Sequence, residues 1–284
     1  MSKRILITGK NSYVGNQLAE WLNKEPEKYT IVKVSVRDDK WKEIDFSGFD
    51  AVVHVAGIAH IKETKNNEEM YYKVNRDLAY EIAKKAKEVG VKQFVFLSTM
   101  SVFGKEEGIV SQQTDTIPTT YYGKSKLEAE KLISSLSNND FKVAILRPPM
   151  VYGKGCKGNY NRLKTVALKT PIFPKITNKR SMIYIENLNK FTKMVIDNSS
   201  TGVFHPQNQE YMSTTLLVKS ISEENNRKIF YTKIFNPFIY IGVKYSKTLS
   251  KVFGTLVYDQ SLTDSNSSIS SNINIEDSIK ATES

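Results

Sequence analysis

The sequence predicts a doubly wound α/β fold around a parallel β-sheet, with a smaller C-terminal lobe. Three observations support this prediction. Short apolar runs alternate with amphipathic helical stretches in the first half of the chain, which is typical of βαβ units. A turn containing Gly9 and Gly15 joins the first apolar run to the first helical stretch, as in Rossmann-type sheets. After Arg147-Pro148-Pro149 the alternation weakens and Gly, Asn, Pro and Lys become frequent, which indicates an inserted lobe.

The same alternation assigns the elements of the sheet in chain order. Apolar runs bounded by polar or turn residues predict strands at Ile5–Thr8, Ile31–Val36, Ala51–Val55, Phe94–Ser98 and Val143–Arg147, and Gly202–Pro206 adds a later one. Apolar residues at helical spacing predict helices at Val14–Asn23, Asn66–Val89, Tyr121–Leu136 and Asn187–Asn198. The connection at residues 37–49 is short, so we expect it to lack a full crossover helix.

The composition along the chain predicts the domain boundaries. We expect residues 1–155 to form the sheet domain, with residues 184–206 returning to it, and residues 156–183 and 207–263 to form the lobe. Residues 228–258 are aromatic-rich and basic, and we interpret them as a flank of the lobe, with a membrane-surface contact as the alternative. Residues 264–284 are rich in Ser, Asn and Asp, so we expect a disordered tail.

The overall composition excludes several classes of protein. The net charge is +11, but basic and acidic residues are interspersed and no basic arm is present, so specific nucleic-acid binding is not expected. Cys156 is the only cysteine and there are three histidines, which argues against a disulfide framework and a metal site. The chain opens directly on a strand, and no apolar stretch reaches the ~18 residues of a membrane span. We therefore expect a cytoplasmic protein without a transmembrane segment.

The turn after the first strand predicts a dinucleotide site. Gly9 and Gly15 lack a Cβ atom, so backbone N–H groups at the start of the helix can approach a pyrophosphate. Ser12 stands where the usual pattern has its middle glycine, so a slightly wider turn is expected. Tyr13 and Val14 complete the predicted contact.

The end of the second strand predicts which dinucleotide is bound. An acidic residue there would bond the ribose 2′-hydroxyl of NAD and repel the phosphate of NADP. The chain has Ser35-Val36-Arg37 instead, and Arg37 can pair with a 2′-phosphate. NADP(H) is therefore favoured over NAD(H), although Asp38 and Asp39 are close enough to leave NAD open.

Small and polar residues after the third and fourth strands extend the predicted site. Ala56 and Gly57 leave room for the cofactor to pass over the edge of the sheet. Asn75 lies on the long helix, where it either supports the fold or positions water. His54 is interpreted as a packed strand residue. Ser98 ends the fourth strand and is assigned to the cofactor.

Tyr122 and Lys126 are the predicted centre of the reaction. Their spacing of four residues places both side chains on one face of a helix. The lysine charge can lower the pKa of the phenol, which would let Tyr122 move a proton near neutral pH, and Lys126 would also bind the nicotinamide ribose. Thr99, just after the fourth strand, would offer a hydroxyl to the same substrate oxygen. This set predicts hydride transfer at a carbon that bears oxygen.

Further motifs carry a family resemblance. The chain resembles the extended short-chain dehydrogenases/reductases of the nucleotide-sugar epimerase/dehydratase/reductase group over residues 3 to about 260. Within that group it is most similar to reductases that act on UDP-2-acetamido-2,6-dideoxy-4-ketohexoses in capsule and O-antigen synthesis. The closer match lies in Arg147–Gly153, Lys157–Leu163, Arg180–Ile185 and Phe253–Asp259. The resemblance implies that Pro148 lies near the nicotinamide, that Asn159 contacts the UDP-sugar and that Arg180 clamps its diphosphate.

The residues after Thr99 select among the reactions of that group. A dehydratase of the group has Asp-Glu there, whereas this chain has Met100 and Ser101, so dehydration is not expected. Reduction of a 4-keto sugar is favoured by the NADP-like end of the second strand. A UDP-glucose or UDP-N-acetylglucosamine 4-epimerase is the alternative, and a non-catalytic NAD(P)-binding sensor is a third hypothesis. A homodimer is suggested by analogy only, and the sugar and its C4 configuration stay open.

Overall fold

A computed structural model of the chain describes residues 2–59, 61–264 and 273–284. The chain divides into two units. The first has the bounds Met1–Gly104, Asp115–Pro148 and Leu188–Pro206, and the second has the bounds Lys105–Thr114, Pro149–Asn187 and Gln207–Ser284. The strands are β1 (Lys3–Thr8), β2 (Tyr29–Val34), β3 (Ala51–His54), β4 (Gln93–Leu97), β5 (Gly108–Val110), β6 (Lys142–Leu146), β7 (Met150–Tyr152), β8 (Ile172–Pro174), β9 (Met182–Tyr184), β10 (Gly202–Phe204), β11 (Phe230–Thr232) and β12 (Leu256–Tyr258).

The helices include the four that the sequence predicts, with one of these divided, and several more in the second unit. They are α1 (Tyr13–Leu22), α2 (Glu68–Tyr72), α3 (Leu78–Glu88), α4 (Tyr121–Ser134), α5 (Asn159–Lys169), α6 (Ile185–Asp197), α7 (Thr214–Glu224), α8 (Asn236–Tyr245), α9 (Lys247–Phe253), α10 (Ser261–Asp264) and α11 (Ile275–Glu283).

The first unit contains a six-stranded sheet in the order β10-β6-β4-β3-β1-β2. Every pair of neighbours is parallel. The doubly wound sheet predicted from the sequence is therefore confirmed. The order reverses between β1 and β3, and ligands of such sheets bind at the carboxyl ends of the strands that flank this reversal. The loops after β1 and β3 are consequently the first place to look for a site.

Both faces of this sheet are buried, which explains why its strands read as continuous apolar runs. On one face Leu6, Val52 and Phe94 pack in a cluster that includes Ile82 of α3 and Ile133 of α4. Successive residues of a strand point to opposite faces, so Ile5 and Ile7 face the other side, where both are fully buried.

The predicted elements differ from the observed ones at one connection and agree at another. The long predicted helix Asn66–Val89 is interrupted by a π-helical turn at Lys73–Asp77, and Asn75 lies within it. Such turns accommodate one extra residue inside a helix and occur often at functional sites. Residues 37–49 contain only a short 3-10 helix, Asp39–Glu43, which confirms the prediction of no full crossover helix.

The second unit contains three small two-stranded parallel sheets, β5 with β12, β7 with β9, and β8 with β11, within the described residues. The pairing of β5 with β12 brings residues 105–114 into this unit, although they precede α4 in the chain. The sequence analysis assigned these residues to the sheet domain. Three strand residues, of which Ile109 and Val110 are apolar, carry no local sign of their partner β12 far along the chain.

The predicted disordered tail is wrong for its last residues. Residues 275–283 form α11, which Asn274 caps and which buries Ile275 and Ile279. Glu283 accepts a hydrogen bond from the Tyr160 hydroxyl at 2.8 Å, and the Ser278 and Tyr152 hydroxyls lie 2.7 Å apart. Two isoleucines four residues apart are enough to anchor a short helix once a tertiary partner exists, and polar composition alone conceals this. Residues 265–272 of the predicted tail lie outside the described residues.

In the part of the chain that the structure describes, no helix is long and apolar enough to cross a membrane.

Candidate active site

The turn after β1 has the geometry that the glycines predict. Gly9 has φ +89°, and a Cβ atom on it would lie 3.1 Å from the backbone nitrogen of Ala56. A Cβ on Gly15 would lie 2.9 Å from Cγ2 of Val55. Any larger residue would therefore push the turn after β1 away from the end of β3. The two loops meet at the reversal point of the sheet, where a dinucleotide is expected to bind.

The first turn of α1 is suited to an anion. Ser12 is the N-cap, and its side-chain oxygen accepts the Gly15 N–H at 3.4 Å. No acidic residue lies in the first turn, so the positive end of the helix dipole is not neutralised there. Tyr13 and Val14, which the sequence assigns to the cofactor, occupy this same turn. The residues present thus fit a pyrophosphate at this helix terminus.

Gly57 and Asn75 form the wall after β3. Asn75 is fully buried, and its side-chain amide accepts the Ile58 N–H at 2.9 Å and donates to the Ile58 carbonyl at 3.1 Å. It also donates to Oγ of Ser125 on α4 at 3.2 Å. A Cβ on Gly57 would lie 2.9 Å from Oδ1 of Asn75. Asn75 therefore ties the loop after β3 to α4, which is the structural role among the two that the sequence left open.

The end of β2 presents an exposed cation rather than an acid. Arg37 is exposed, and its backbone N–H donates to Oγ of Ser35 at 3.5 Å. The side chain of Asp38 accepts the Lys40 N–H at 3.2 Å, as the N-cap of the short 3-10 helix. The nearest acid is thus engaged with the backbone.

Thr99 and Ser98 lie directly after β4. Thr99 begins a short 3-10 helix, and its side chain accepts the Ser101 N–H at 3.1 Å. The Ser98 hydroxyl donates to the carboxylate of Glu130, which lies on α4. Glu130 also pairs with Arg147, whose guanidinium reaches it at 2.6 Å, and both side chains are nearly inaccessible to solvent. Ser98 is therefore bound to a buried ion pair. Pro148 lies close to the same loop, because its backbone oxygen accepts the Met100 N–H at 2.9 Å.

Tyr122 lies in the first turn of α4, and two caps hold that turn. The Thr120 side chain accepts the Gly123 N–H at 3.0 Å. The Glu63 carboxylate accepts the N–H of Tyr121 at 2.9 Å and the N–H of Tyr122 at 3.0 Å. A carboxylate at a helix N-terminus satisfies otherwise unpaired N–H groups and complements the dipole. The backbone of Tyr122 is thus fixed from a loop 59 residues upstream.

Lys126 lies one turn after Tyr122, and its side chain is 4% exposed. Its ammonium group donates to the Leu97 carbonyl at 2.7 Å and lies 4.4 Å from the centre of the Phe96 ring. Burial lowers the pKa of Lys126 to about 7, against the opposing effect of Glu130. A Cβ on Gly57 would be 3.5 Å from this nitrogen. The amine therefore lies at the carboxyl ends of β3 and β4.

The pKa of Tyr122 departs from the sequence-based expectation. Burial raises the pKa of the Tyr122 phenol, and a hydrogen bond with Thr99 opposes that shift. The prediction that Lys126 lowers this pKa is wrong in this structure, because the ammonium group is directed to the Leu97 carbonyl. The pKa of Tyr122 therefore depends on Thr99, and the joint action of the two hydroxyls on one substrate oxygen stays a prediction.

Asn159 and Arg180 both belong to the second unit. Asn159 is the first residue of α5. Arg180 donates to the Gly254 carbonyl at 3.2 Å, and its backbone pairs with Met212 and Leu256. Burial lowers the pKa of this guanidinium, while the carboxylates of Glu106 and Glu107 raise it. Arg180 is thus a half-buried cation, rather than a freely solvated surface residue.

The histidine of β3 is packed in the interior of the first unit. His54 is fully buried, its Nδ1 lies 2.8 Å from the Thr8 hydroxyl, and burial lowers its pKa to about 3. The prediction of a packed strand histidine is confirmed. Across residues 2–59, 61–264 and 273–284, no group of three or more His, Cys, Asp or Glu side chains is arranged to hold a metal ion.

Sequence reasoning missed Glu63 and the pair Glu130–Arg147. Glu130 follows Lys126 by four residues, so its position on the same helix face was a readable signal. Glu63 carried no such signal, because its partners are backbone groups distant in sequence.

Comparison with protein families decides the kind of protein. The model of the NAD dependent epimerase/dehydratase family matches residues 5–208. The chain belongs to this family. The members of this family are enzymes with a nicotinamide dinucleotide as cofactor. This agrees with the glycine turn and the reversal point of the sheet.

Two curated relatives of this epimerase/dehydratase family member are named as 4-epimerases. A UDP-glucose 4-epimerase of Vibrio cholerae is 32% identical over 252 residues, which cover 78% of this chain and 76% of the relative. An N-acetyl-alpha-D-glucosaminyl-diphospho-ditrans,octacis-undecaprenol 4-epimerase of Escherichia coli O157:H7 is 27% identical, over 89% of this chain and 82% of the relative.

Solved structures support the same fold. A UDP-glucuronic acid 4-epimerase from Bacillus cereus in complex with NAD superposes with a TM-score of 0.77 at 20% identity, over 99% of this chain and 97% of that one. A dTDP-4-dehydrorhamnose reductase from Bacillus anthracis in complex with NADP gives a TM-score of 0.66 at 25% identity, over 83% of this chain and 86% of that one. The Rossmann-type fold of this family member is therefore shown.

Proposed function

We propose that this enzyme reduces the C4 keto group of a UDP-activated 2-acetamido-2,6-dideoxyhexos-4-ulose, with NADPH, for the synthesis of a surface polysaccharide. The single observation that carries the reductive direction is Arg37. It is exposed at the end of β2, where an NAD-binding protein has an acid, and Asp38 beside it caps a helix. A guanidinium there pairs with a ribose 2′-phosphate.

Three residues would do the chemistry on the sugar. Tyr122 would give its phenolic proton to the C4 oxygen, since its backbone is fixed by Glu63. Thr99 lowers the pKa of the Tyr122 hydroxyl against the larger effect of burial. Thr99 would hold the C4 oxygen by a hydrogen bond. Lys126, with a pKa of about 7, would bind the cofactor ribose and restore the proton of Tyr122. The nicotinamide supplies the hydride when bound.

The remaining assignments follow the two ends of the ligands. Gly9, Ser12, Tyr13, Val14 and Gly15 would hold the pyrophosphate of the cofactor, with Ala56, Gly57, Asn75, Ser98 and Pro148 shaping the path to the nicotinamide. Asn159 and Arg180 would bind the UDP group. A half-buried guanidinium suits a diphosphate because it offers several donors in a fixed plane. Reduction of a 4-keto sugar is also what the name of the B. anthracis structure describes, for a dTDP-sugar.

A second candidate is a 4-epimerase, and the names of the V. cholerae and E. coli relatives favour it. A 4-epimerase uses the same Thr, Tyr and Lys residues to oxidise C4 and then reduce it from the other face, so Thr99, Tyr122 and Lys126 serve both reactions. The E. coli relative widens the substrate class to a sugar linked through a diphosphate to a polyprenol. The two candidates differ in whether reduced cofactor is consumed.

The deciding experiment measures the consumption of NADPH and of NADH, by the absorbance of the reduced nicotinamide. The substrate is UDP-2-acetamido-2,6-dideoxy-D-xylo-hexos-4-ulose, and parallel reactions contain UDP-N-acetylglucosamine without added reduced cofactor. Stoichiometric oxidation of NADPH by the keto sugar supports the reductase. Conversion of UDP-N-acetylglucosamine to its C4 epimer, without net oxidation, supports the epimerase. If neither reaction occurs, both proposals are contradicted for these UDP-sugars.

A further inference from the structure

One face of α8 is apolar and exposed. Ile234 lies in the turn just before α8, and Phe238, Ile241 and Tyr245 follow at spacings that place these three on one side of the helix. Their side chains are 74%, 75%, 60% and 86% exposed, in that order. An amphipathic helix of a globular protein normally turns such a stripe toward the core. Here the stripe faces solvent, and we call it the α8 stripe.

The opposite side of α8 is the one that packs on the protein. A Cβ atom on Gly242 would lie 2.5 Å from Cδ1 of Leu249 on α9, so the two helices approach closely at this glycine. The Asn236 side chain donates to the Lys175 carbonyl at 2.9 Å, which holds the start of α8. The orientation of the α8 stripe is therefore set by these contacts on its other side. No residue of α8 is buried.

The charges around the α8 stripe are mainly positive. From Asn225 to Gly254 the sequence contains six Lys or Arg residues and no Asp or Glu. Four of these residues are exposed lysines close to the stripe in sequence, namely Lys228, Lys233, Lys244 and Lys247. Two acids from the segment before β5, Glu106 and Glu107, line a pocket with Lys244, Tyr245 and Lys247, and Glu106 pairs with Lys251 at 3.4 Å. The stripe is thus apolar at its centre and cationic at its edges.

We propose that the α8 stripe and its flanking lysines dock this enzyme on the surface of a bilayer that contains anionic lipid. Aromatic and branched side chains on one face of a short helix, bordered by lysines, match the boundary between acyl chains and acidic headgroups. The ten residues of α8 span only about 15 Å, half the ~30 Å of a hydrocarbon core, so the helix lies in the plane of the interface.

The charge pattern argues for a bilayer rather than a second copy of the chain. Two copies that met symmetrically through the α8 stripe would bring together two sets of lysines, which outnumber the nearby Glu106 and Glu107. Like charges opposed in this way weaken association. An anionic bilayer instead offers the opposite charge and an apolar interior to the same face. This inference goes beyond the proposed reaction, and its test requires no turnover.

The test is co-sedimentation of the full chain with two kinds of vesicle. One kind is pure phosphatidylcholine, and the other contains phosphatidylglycerol as about a third of its lipid. We expect binding to the anionic vesicles to exceed binding to the neutral ones by about tenfold or more, and to weaken as salt is raised. Equal binding to both vesicles, or binding to neither, would overturn the proposal.

Two double variants separate the apolar and the charged contributions. Phe238→Ser with Ile241→Ser, and Lys233→Glu with Lys244→Glu, should each lower binding to the anionic vesicles by about tenfold or more. Because all four side chains are exposed, circular dichroism and melting should match the unchanged chain. The matched controls lie in the first unit and should bind normally: Ile117→Ser, where the side chain is 67% exposed, and Lys92→Glu with Lys131→Glu.

Sedimentation equilibrium without lipid tests whether a second copy of the chain, rather than a bilayer, covers the α8 stripe. If the serine variant abolished a self-association of the chain while vesicle binding was absent, the α8 stripe would be an interface between copies and the proposal would be wrong.

Discussion

The carboxylate of Glu63 accepts the backbone N–H of Tyr122 at 3.0 Å, and thereby joins the loop after β3 to the first turn of α4. The same carboxylate accepts the N–H of Tyr121 at 2.9 Å. Helix N-termini leave four N–H groups without intrahelical partners, and two of them are satisfied here by one side chain. The position of the Tyr122 phenol relative to the end of β4 therefore depends on a residue that binds the backbone of Tyr122.

Replacing Glu63 with Ala should loosen the first turn of α4. We expect the free energy of unfolding to fall by about 1 kcal/mol, since an N-terminal cap and a favourable charge at the helix dipole are both lost. Turnover should fall about tenfold because Tyr122 loses its fixed position. Urea unfolding and steady-state kinetics measure the two effects. Glu69→Ala, an exposed acid at the start of α2, is the control and should change neither. Unaltered kinetics in the Glu63 variant would contradict its positioning role.

Replacing Tyr122 with Phe should lower kcat by about a hundredfold or more, because the proton for the C4 oxygen is lost. Binding of the dinucleotide, measured by fluorescence titration, should change little. Tyr121→Phe removes a hydroxyl from the neighbouring position of the same helix and should leave kcat within about threefold. If Tyr122→Phe and Tyr121→Phe both kept the kcat of the unaltered chain, Tyr122 would not be the proton donor.

Replacing Arg37 with Ala should weaken NADPH binding by about tenfold, because a charge-assisted hydrogen bond to the 2′-phosphate is lost. NADH has no such phosphate, so its Kd should stay nearly constant. Lys40→Ala removes another exposed cation close by and serves as the control. Isothermal titration with both cofactors gives the comparison. A similar loss for NADPH and NADH would show that Arg37 does not read the phosphate.

The buried amine of Lys126 makes stability depend on pH in a defined direction. Its pKa in the folded chain is about 7, below the ordinary 10.5, so between these values the unfolded chain binds more protons. The free energy of unfolding of the unaltered chain should therefore rise with pH in this window, relative to Lys126→Met. The gain should be on the order of 2 kcal/mol between about pH 7 and pH 9. Urea unfolding at several pH values measures it. A difference between the two chains that is constant with pH would contradict a depressed pKa.

The pair Glu130–Arg147 should be far more sensitive than a surface pair on the same helix. Glu130→Gln leaves the Arg147 guanidinium without its buried counter-charge and should cost about 3 kcal/mol or more. Glu128→Gln breaks a 2.8 Å pair with Arg76, in which the glutamate is 44% exposed, and should cost less than about 1 kcal/mol. Thermal and urea unfolding of the two variants compare them directly. Equal losses would mean that burial does not decide the strength of these pairs.

Particular elements show how far the sequence alone predicts this fold. The five early strands and the returning β10 were found because a sheet buried on both faces produces continuous apolar runs. Helix α1 was found from the glycine turn before it. The helix α11 and the pairing of β5 with β12 were missed, since each depends on partners more than a hundred residues away.

The predicted site shows the same division between local and distant contacts. Spacing along the chain predicts the register of Tyr122 with Lys126 and the turn at Gly9 and Gly15. It also predicts the position of Arg37 after the second strand. The direction taken by the Lys126 amine did not follow, because the Leu97 carbonyl that receives it belongs to another strand.

Local patterns in the sequence were enough to predict the parallel sheet, the dinucleotide turn and the residue types of the reaction centre, because periodicity and glycine chemistry act over a few neighbouring residues. The polar contacts became visible in the folded chain: Glu63 with the backbone of Tyr122, Ser98 with Glu130, and Lys126 with Leu97. The tertiary structure also decided that the α8 stripe faces solvent. These outcomes depend on burial and on hydrogen-bond partners from distant parts of the chain, and both arise only when the elements pack together.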